Sequence, residues 1–330
     1  MKRSSLFGHR EISLFLILIF TIGLTSFINP RFVTGSGTRD LFNATAVVAI
    51  MAVGITPIVI MKHIDLSIAS IVGFSAWLIA DLCAKHPWFT TWHAFIVGPL
   101  VGAAVGVLNG FLVAGLRLPA LVVTLGTLYI VRGLDYVVSN SVDYNAQDLP
   151  KSMVALGEKT YFGLLPFPFL LVLIFMITAG LYMRYRKPGR DRYAIGSNAH
   201  AAELVGIKVF QRTFLAFVFS GATAGLAGVF YLMRFAQVDA TAFYGQELGV
   251  VAAVVIGGIS INGGIGTPYG AVIGALLVQS IQGGLSALGV DAFWKQAING
   301  TLLIIALFAD RVLARRAEQA LLAQRIKERA

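Results

Sequence analysis

The chain has 330 residues, of which 57% are hydrophobic and 13% are charged. Soluble domains average roughly 45–50% apolar and 25% charged residues, so this composition excludes an ordinary soluble protein and predicts repeated membrane crossings. The formal net charge of +10 does not indicate nucleic acid binding, because the cations cluster at the ends, at short turns and in residues 183–209. With one cysteine and no C-x-x-C or H-E-x-x-H motif, the sequence predicts no disulfide within the chain and no metal site.

The first apolar run, residues 12–28, follows a short basic start. It is longer than the roughly 7–15 residues of a signal-peptide core, so we expect a retained first span and then a polar connection over 32–44, with or without a short interfacial helix. A span needs roughly 20 apolar residues to cross about 30 Å of hydrocarbon. With the first run, about ten spans are predicted, at 12–28, 45–61, 67–84, 94–115, 119–139, 164–183, 211–234, 247–260, 269–288 and 296–309.

The distribution of cations predicts the orientation of the spans. An even number of spans with both termini in the cytoplasm places most of the Lys and Arg residues on the cytoplasmic side, as the positive-inside rule requires. The predicted organisation is a transmembrane domain over residues 1–310, which includes a cytoplasmic segment at about 184–209, and a basic cytoplasmic tail over 311–330. Residues 140–163 then form the largest outer loop.

Glycines recur at four-residue spacing in several predicted spans. Four residues are about one helical turn, so each set forms a smooth stripe along which another helix backbone can approach closely. Such stripes serve helix packing alone or also allow helices to slide, and both interpretations stay open. The sets are Gly102, Gly106 and Gly110; Gly221 and Gly225; and Gly266, Gly270 and Gly274.

Polar residues within the spans are scarce and are therefore candidates for a translocation path. An unpaired polar side chain is costly in hydrocarbon, so such residues usually face the bundle interior or water. The candidates are Asn109, Thr124, Thr127 and Arg132. For Arg132 the alternatives are that the side chain reaches the outer interface or pairs with Asp135.

Two short polar breaks separate apolar runs that cross in the same directions. In the first, Ile64–Ser67, the carboxylate of Asp65 is expected to cap the next helix. The second break, 257–264, contains Ile-Ser-Ile-Asn, which aligns with Ile-Asp-Leu-Ser of the first and favours an internal repeat. It lacks the lysine of a Walker A loop, so we expect no nucleotide cofactor on this chain. Four break residues join the candidate path: Asp65, Ser67, Ser260 and Asn262.

The segment 183–209 carries many cations and a short helix-forming stretch. Asn198 is a plausible N-cap, the alanines after it favour helix, and Gly206 stands where a helix ends. A short helix with small side chains suits a groove on another protein, whereas the simpler interpretation is a connection between two spans.

In their order along the chain, these motifs resemble the permease subunits of ATP-binding-cassette importers of the ribose, xylose, rhamnose and autoinducer-2 type. The resemblance covers nearly the whole chain. It departs where the family usually has Gly-Gly and this chain has Lys62-His63, and where Ala69 replaces a usual glycine. It is carried by Ile64–Ser67 with Gly73, Leu118–Ala120, Thr124–Thr127, Arg132-Gly133, Ala194–Asn198 with Ala201, Ala202 and Gly206, and Gly257–Gly266 with Gly270 and Gly274.

The resemblance implies an all-α polytopic bundle, similar to a type II ABC importer permease, in the bacterial inner membrane. Such a subunit is not an enzyme. It forms a homo- or heterodimer, receives solute from a periplasmic binding protein, and is driven by a separate ATPase that binds ATP and Mg. Alternating access would follow when the ATPase moves the coupling segment. The residues implied in that contact are Gly196, Asn198, Ala201, Ala202, Glu203 and Gly206.

The resemblance implies a small sugar or sugar-like solute as the cargo. More distant relatives carry branched-chain amino acids or nucleosides, so those solutes stay open as alternatives. An ion-coupled secondary transporter is a further alternative, but it usually needs carboxylates in mid-membrane, and these spans have almost none.

Overall fold

A computed structural model of the chain describes residues 9–291 and, beyond them, 294, 297, 298, 300–305, 308, 311 and 312. Over these residues the fold is almost entirely helical. A 3₁₀ turn at Pro30–Val33, a π-helical turn at Phe111–Gly115 and a hairpin of β1 (Thr160–Tyr161) with β2 (Leu165–Pro166) complete it. The helices are α1 His9–Ile28, α2 Gly35–Ile60, α3 Ile68–Lys85, α4 Thr91–Gly110, α5 Ala120–Ser139, α6 Lys151–Glu158, α7 Phe167–Tyr185, α8 Lys187–Ser197, α9 Ala199–Leu204, α10 Val209–Phe235, α11 Glu247–Ile256 and α12 Pro268–Ala287.

Within the described part of the chain, seven helices are long and apolar enough to cross a bilayer. They are α2, α3, α4 with its π-helical turn, α5, α7, α10 and α12. The apolar part of α1, Leu14–Ile28, and all of α11 are shorter. The predicted helical membrane architecture is confirmed. The last predicted span, 296–309, falls partly outside the described residues, and the predicted tail lies almost wholly outside them.

Two predicted boundaries are wrong. The stretch 32–44 is not a polar connection, because α2 already begins at Gly35 and its first turns stay exposed or half-buried until Leu41. Their polar side chains therefore remain in contact with solvent without ending the helix. The predicted span 247–260 is shorter, since α11 ends at Ile256 and the next residues include Gly258 with φ +95°. Such a left-handed conformation cannot continue a helix, and glycine adopts it without steric cost.

Helix α2 forms the centre of the bundle. Nearly every residue from Leu41 to Ile60 is buried, and α2 packs against α7, α10, α11 and α12. A helix that is apolar on all sides is stable only when neighbours surround it. By contrast, α1 and α5 carry exposed apolar side chains such as Phe20 and Val137, as lipid-facing helices do.

Glycine stripes bring α4 and α10 into backbone contact, the most extensive helix pairing among the described elements. A Cβ on Gly102 would collide with the carbonyl of Gly221, and one on Gly106 would collide with the carbonyl of Phe217. The packing predicted from these two stripes is confirmed. The third stripe is only partly a helix face, because Gly266 precedes α12 and has φ +137°.

The two ends of the bundle carry different structures. At one end, the loop 140–150 bridges to the connection after α10, where Tyr144 and Val238 exchange backbone hydrogen bonds. The hydroxyl of Tyr144 also donates to Asp81 at 2.6 Å. Burial is the larger cause and this hydrogen bond the smaller one, and together they raise the pKa of Tyr144 to about 12. At the other end lie α8, α9 and both polar breaks.

Candidate functional site

A buried polar cluster occupies the break between α2 and α3. One carboxylate oxygen of Asp65 accepts hydrogen bonds from the backbone N–H of Ser67, at 3.1 Å, and from its hydroxyl, at 2.6 Å. The other oxygen accepts from the hydroxyl of Ser220 on α10, at 2.8 Å. Nδ2 of Asn109, at the end of α4, donates to the hydroxyl of Ser67 at 2.9 Å. All four side chains are fully buried, so the cluster joins the break, α4 and α10 without solvent.

Asp65 does not cap α3 as predicted. The capping position belongs to Ser67, and α3 begins at Ile68, one residue further along. The carboxylate instead satisfies one free N–H inside the break and uses its remaining capacity on two hydroxyls. A buried carboxylate needs several donors to offset its desolvation, and these three hydrogen bonds supply them.

Asn109 lies immediately before a change in helix geometry. The π-helical turn starts two residues later, at Phe111, and such turns often mark functional positions. Oδ1 of Asn109 is buried without a hydrogen-bond partner. An orphaned acceptor of this kind costs stability.

The two threonines of α5 have different surroundings. Oγ1 of Thr124 donates to the carbonyl of Ile64 at 3.3 Å, which places it beside the first break. Oγ1 of Thr127 donates only to carbonyls of its own helix, at 3.1 Å and 3.2 Å. The structure therefore places Thr124 beside the Asp65 cluster. Thr127 makes no hydrogen bond to that cluster.

Arg132 lies towards the other end of the bundle and is buried. Its guanidinium lies 3.5 Å from a carboxylate oxygen of Asp135, so it pairs with Asp135, one of the two predicted alternatives. The same nitrogen donates to the carbonyls of Ala240 and Ala242, at 3.2 Å and 3.0 Å. Gly73 provides space for the guanidinium of Arg132, because a Cβ at position 73 would lie 2.8 Å from it. Arg132 thus ties α5 to the connection after α10.

The second polar break repeats the local geometry of the first. Oγ of Ser260 accepts from the backbone N–H of Asn262 at 3.2 Å, as Asp65 accepts from Ser67. These are the pairs that the sequence alignment of the two breaks places together. The second break also contacts the end of α2 just before the first break, because the N–H of Gly264 donates to the carbonyl of Ile60 at 2.8 Å. Asn262 is exposed, however, so it is not part of the buried cluster.

The short helix α9 has the predicted ends. Oδ1 of Asn198 accepts from the N–H of Ala201 at 3.0 Å, which is the N-cap bond. Gly206 has φ +80° and donates to the carbonyl of Glu203, which ends the helix. This helix and its cap are confirmed as structure.

The side chains of the α8–α9 segment divide into two groups. Ala202 is buried in an apolar cluster that also includes residues of α2, α8 and α10. Gly196 is buried against Ile60, and a Cβ at position 196 would collide with the carbonyl of Ile60. These two residues hold the segment on the bundle. The exposed members are Asn198, Ala201, Glu203 and Gly206. The sequence reasoning missed Leu204 and Val205, whose side chains are 76% and 77% exposed. The sequence did contain a signal for them, because two adjacent aliphatic residues stand out in an otherwise polar segment.

Lys62 links the first break to the α8–α9 segment. Its Nζ donates to the carbonyl of Ser197 at 3.2 Å. The residue has φ +67°, a left-handed conformation that favours glycine. The departure from Gly-Gly noted at Lys62-His63 therefore falls on a backbone position that is strained for a residue with a side chain.

A cavity of about 890 Å³ lies between the first break, α9 and the turn from α4 to α5. Lys62, Arg117 and Glu203 line it, and Arg117 approaches Glu203 to 3.9 Å. This cavity, the exposed aliphatic pair and the second break lie at the same end of the bundle. The surface of the described residues is therefore concave at that end.

A bundle of apolar helices with broken segments and buried polar clusters is typical of a membrane transport protein. The family model described as "Branched-chain amino acid transport system / permease component" matches residues 37–307. The chain belongs to this family of permease components of ABC transporters. It is therefore a multi-pass inner-membrane transport subunit and not itself an enzyme.

Curated relatives extend over nearly the whole chain. The L-arabinose ABC transporter permease protein AraH of Azospirillum brasilense is 32% identical over 91% of this chain and 86% of its own. The autoinducer 2 import system permease protein LsrC of Enterobacter sp. (strain 638) is 32% identical over 93% and 88%. The ribose import permease protein RbsC of Escherichia coli (strain K12) is 30% identical over 89% and 91%. No solved structure matches the chain significantly.

Proposed function

We propose that this chain is the membrane-spanning permease subunit of an ABC importer for a small sugar or a sugar-like solute. The observation that carries the proposal is similarity along about nine tenths of the chain to permeases named for arabinose, autoinducer 2 and ribose. The family description names branched-chain amino acids, but these three relatives do not. Family membership also argues against an ion-coupled secondary transporter.

The proposed topology has ten spans with both termini in the cytoplasm. The permease domain covers 1–310, with the coupling segment at about 184–209, and the basic tail covers 311–330. Its support is the clustering of cations on the side where α8 and α9 lie. Single cysteines are introduced into a Cys83→Ser variant, which has no other cysteine. His200→Cys should react with an impermeant thiol reagent added on the cytoplasmic side. Phe162→Cys should react only with reagent added on the periplasmic side. The reverse pattern would contradict the topology.

The proposed partners follow from this topology. A separate ATPase, which binds ATP and Mg, contacts the exposed surface of α9, including Asn198, Ala201, Glu203 and Gly206. A periplasmic binding protein delivers solute to the opposite end, where the loop 140–163 lies. A second permease, identical or homologous, completes the path.

The proposed path uses the polar residues of both breaks and of α4 and α5. Movement of the coupling segment would reach Asp65 through Lys62, because Lys62 contacts Ser197 and lies in the turn after α2, three residues before Asp65. Asp65 in turn contacts α10 through Ser220, and Ser67 contacts α4 through Asn109. The coupling segment is therefore connected to the buried Asp65 cluster through Lys62. The other path candidates are Thr124, Thr127, Arg132, Ser260 and Asn262.

Uptake measurements test the proposal. Proteoliposomes containing this permease, its ATPase and its binding protein would be supplied with labelled arabinose, ribose, autoinducer 2, leucine or a nucleoside. We expect ATP-dependent uptake of one of the first three. Uptake of leucine or the nucleoside alone would contradict the sugar assignment but keep the importer. Uptake that needs an ion gradient and no ATP would contradict both.

A further inference from the structure

A groove on the side of the bundle combines an apolar wall with a buried cation. It lies between α7 and α10, has a volume of about 450 Å³, and is lined mainly by apolar and aromatic side chains. Phe175, Ala179, Leu215 and Phe219 form its length, and Tyr182 and Arg192 form its end beside α8. This shape suits an elongated molecule with an apolar body and one polar end.

Within the described part of the chain, the guanidinium of Arg192 has no compensating anion. The side chain is 5% exposed, and one nitrogen donates to the carbonyl of Pro188 at 3.1 Å. Nε is buried without a hydrogen-bond partner. The neighbouring carboxylate of Asp191 is occupied by Arg212, at 2.9 Å. Among the described residues, no carboxylate oxygen lies within 4.0 Å of Arg192.

A buried cation without an anion is costly, because its desolvation is not offset by a charge partner. Stacking on the Tyr182 ring, 5.5 Å from the guanidinium carbon, offsets only part of that cost. An anionic group at the end of the groove would offset the remaining desolvation cost of the Arg192 guanidinium. Four more cations lie in the same stretch of the chain and would attract the same anion: Arg184, Arg186, Lys187 and Arg190.

We propose that this groove binds an anionic phospholipid, whose acyl chain lies along α7 and α10 and whose phosphate contacts Arg192. Charge complementarity and the apolar wall select this occupant together. A free phosphate would satisfy Arg192 but would leave the apolar wall empty. A zwitterionic lipid would fill the wall, but its own cationic group would face the surrounding cations. Basic pockets between spans, at the level of the headgroups, are suited to anionic lipid recognition.

Native mass spectrometry of the purified full-length chain tests the proposal, with phosphatidylglycerol, phosphatidylcholine and inorganic phosphate as separate probes. We expect one phosphatidylglycerol to be retained in preference to phosphatidylcholine, and no response to phosphate alone. Arg192→Gln should weaken retention by about fivefold, the effect of one cation near an anionic surface. Lys159→Gln is the matched control, because Lys159 is exposed, lies beside the hairpin at the opposite end of the bundle and does not line the groove.

A second pair of variants tests the apolar half of the site. Ala179→Phe should fill the groove and prevent retention, whereas Ile177→Phe, on an exposed position of the same helix outside the groove, should not. This pair keeps the test valid if Arg192→Gln fails to fold. Equal retention of both lipids, retention unchanged by Arg192→Gln or by Ala179→Phe, or phosphate binding without lipid would overturn the proposal. A change of oligomeric state on Ala179→Phe would instead assign the groove to a second copy and overturn it as well.

Discussion

Asn109 and Ser67 lie 42 positions apart in the sequence, yet Nδ2 of Asn109 donates to the hydroxyl of Ser67 at 2.9 Å in the fully buried centre of the bundle. The same hydroxyl donates to Asp65, so the serine passes the contact on to the carboxylate. One amide thereby fixes the end of α4 relative to the first break.

Asn109→Leu should reduce uptake, because it removes this contact between α4 and the break. The loss of one buried hydrogen bond should also lower the free energy of unfolding by about 1 kcal/mol. Uptake and thermal unfolding measure the two effects. Thr45→Val is the matched control, since that buried hydroxyl bonds only to its own helix. Normal uptake by Asn109→Leu would remove the residue from the proposed path.

Gly102→Ala should destabilise the protein strongly, because the new Cβ collides with the carbonyl of Gly221 on the facing helix. Overpacking of this kind costs about 1–3 kcal/mol, and more where the obstacle is backbone. Thermal unfolding in detergent measures it. Gly126→Ala adds the same methyl group where nothing lies within 4 Å and should not lower the unfolding temperature, because alanine favours helix more than glycine does. Equal stability of the two variants would contradict the observed α4–α10 contact.

Lys62→Gly should be more stable than Lys62→Ala by about 1 kcal/mol, because both lose the bond to Ser197 and only glycine relieves the left-handed backbone. The difference between the two unfolding free energies isolates the backbone strain. If alanine were as stable as glycine at this position, the φ of +67° would not describe the folded protein.

Leu204→Asp should abolish the stimulation of the partner ATPase and its co-purification with this chain, because it places a charge on the exposed aliphatic pair of α9. Phe162→Asp is the control, since Phe162 is 93% exposed in the hairpin at the opposite end. Ala202→Leu should instead lower the unfolding temperature, because Ala202 is buried against the bundle. Full stimulation by Leu204→Asp would argue against docking through this pair.

Arg132→Ala should lower the free energy of unfolding by about 3–5 kcal/mol, because it leaves the buried carboxylate of Asp135 without its cation. The double variant Arg132→Ala, Asp135→Ala should recover part of that loss, since the uncompensated charge is gone. Thermal unfolding of the single and double variants measures the recovery. A double variant no more stable than Arg132→Ala would show that the bonds to Ala240 and Ala242 dominate.

The sequence was sufficient for the helical architecture and for most span positions, because long apolar runs and glycine spacing depend on local composition. It was also sufficient for the ends of α9, since capping by Asn198 and termination at Gly206 are local signals. It was insufficient for the start of α2, where polar residues such as Arg39 and Asp40 sit on a helix that extends beyond the buried region.

The candidate site was predicted in part. Asp65, Ser67 and Asn109 were singled out, but their mutual contact depends on the packing of helices far apart in the sequence. Ser220 was missed because a serine in a glycine-rich span has no distinguishing pattern. Ala202 was assigned to a docking face, yet it is buried, because the rotation of α9 about its axis depends on α2 and α10.

The contact of Gly102 with Gly221 has a mechanical consequence. Where two backbones touch directly, no side chain lies between them that could change rotamer and so permit a shift. Helices α4 and α10 would therefore travel as a single rigid body during a transport cycle. Bending would be left to the segments 61–67 and 257–267, where the helical hydrogen bonding is already interrupted.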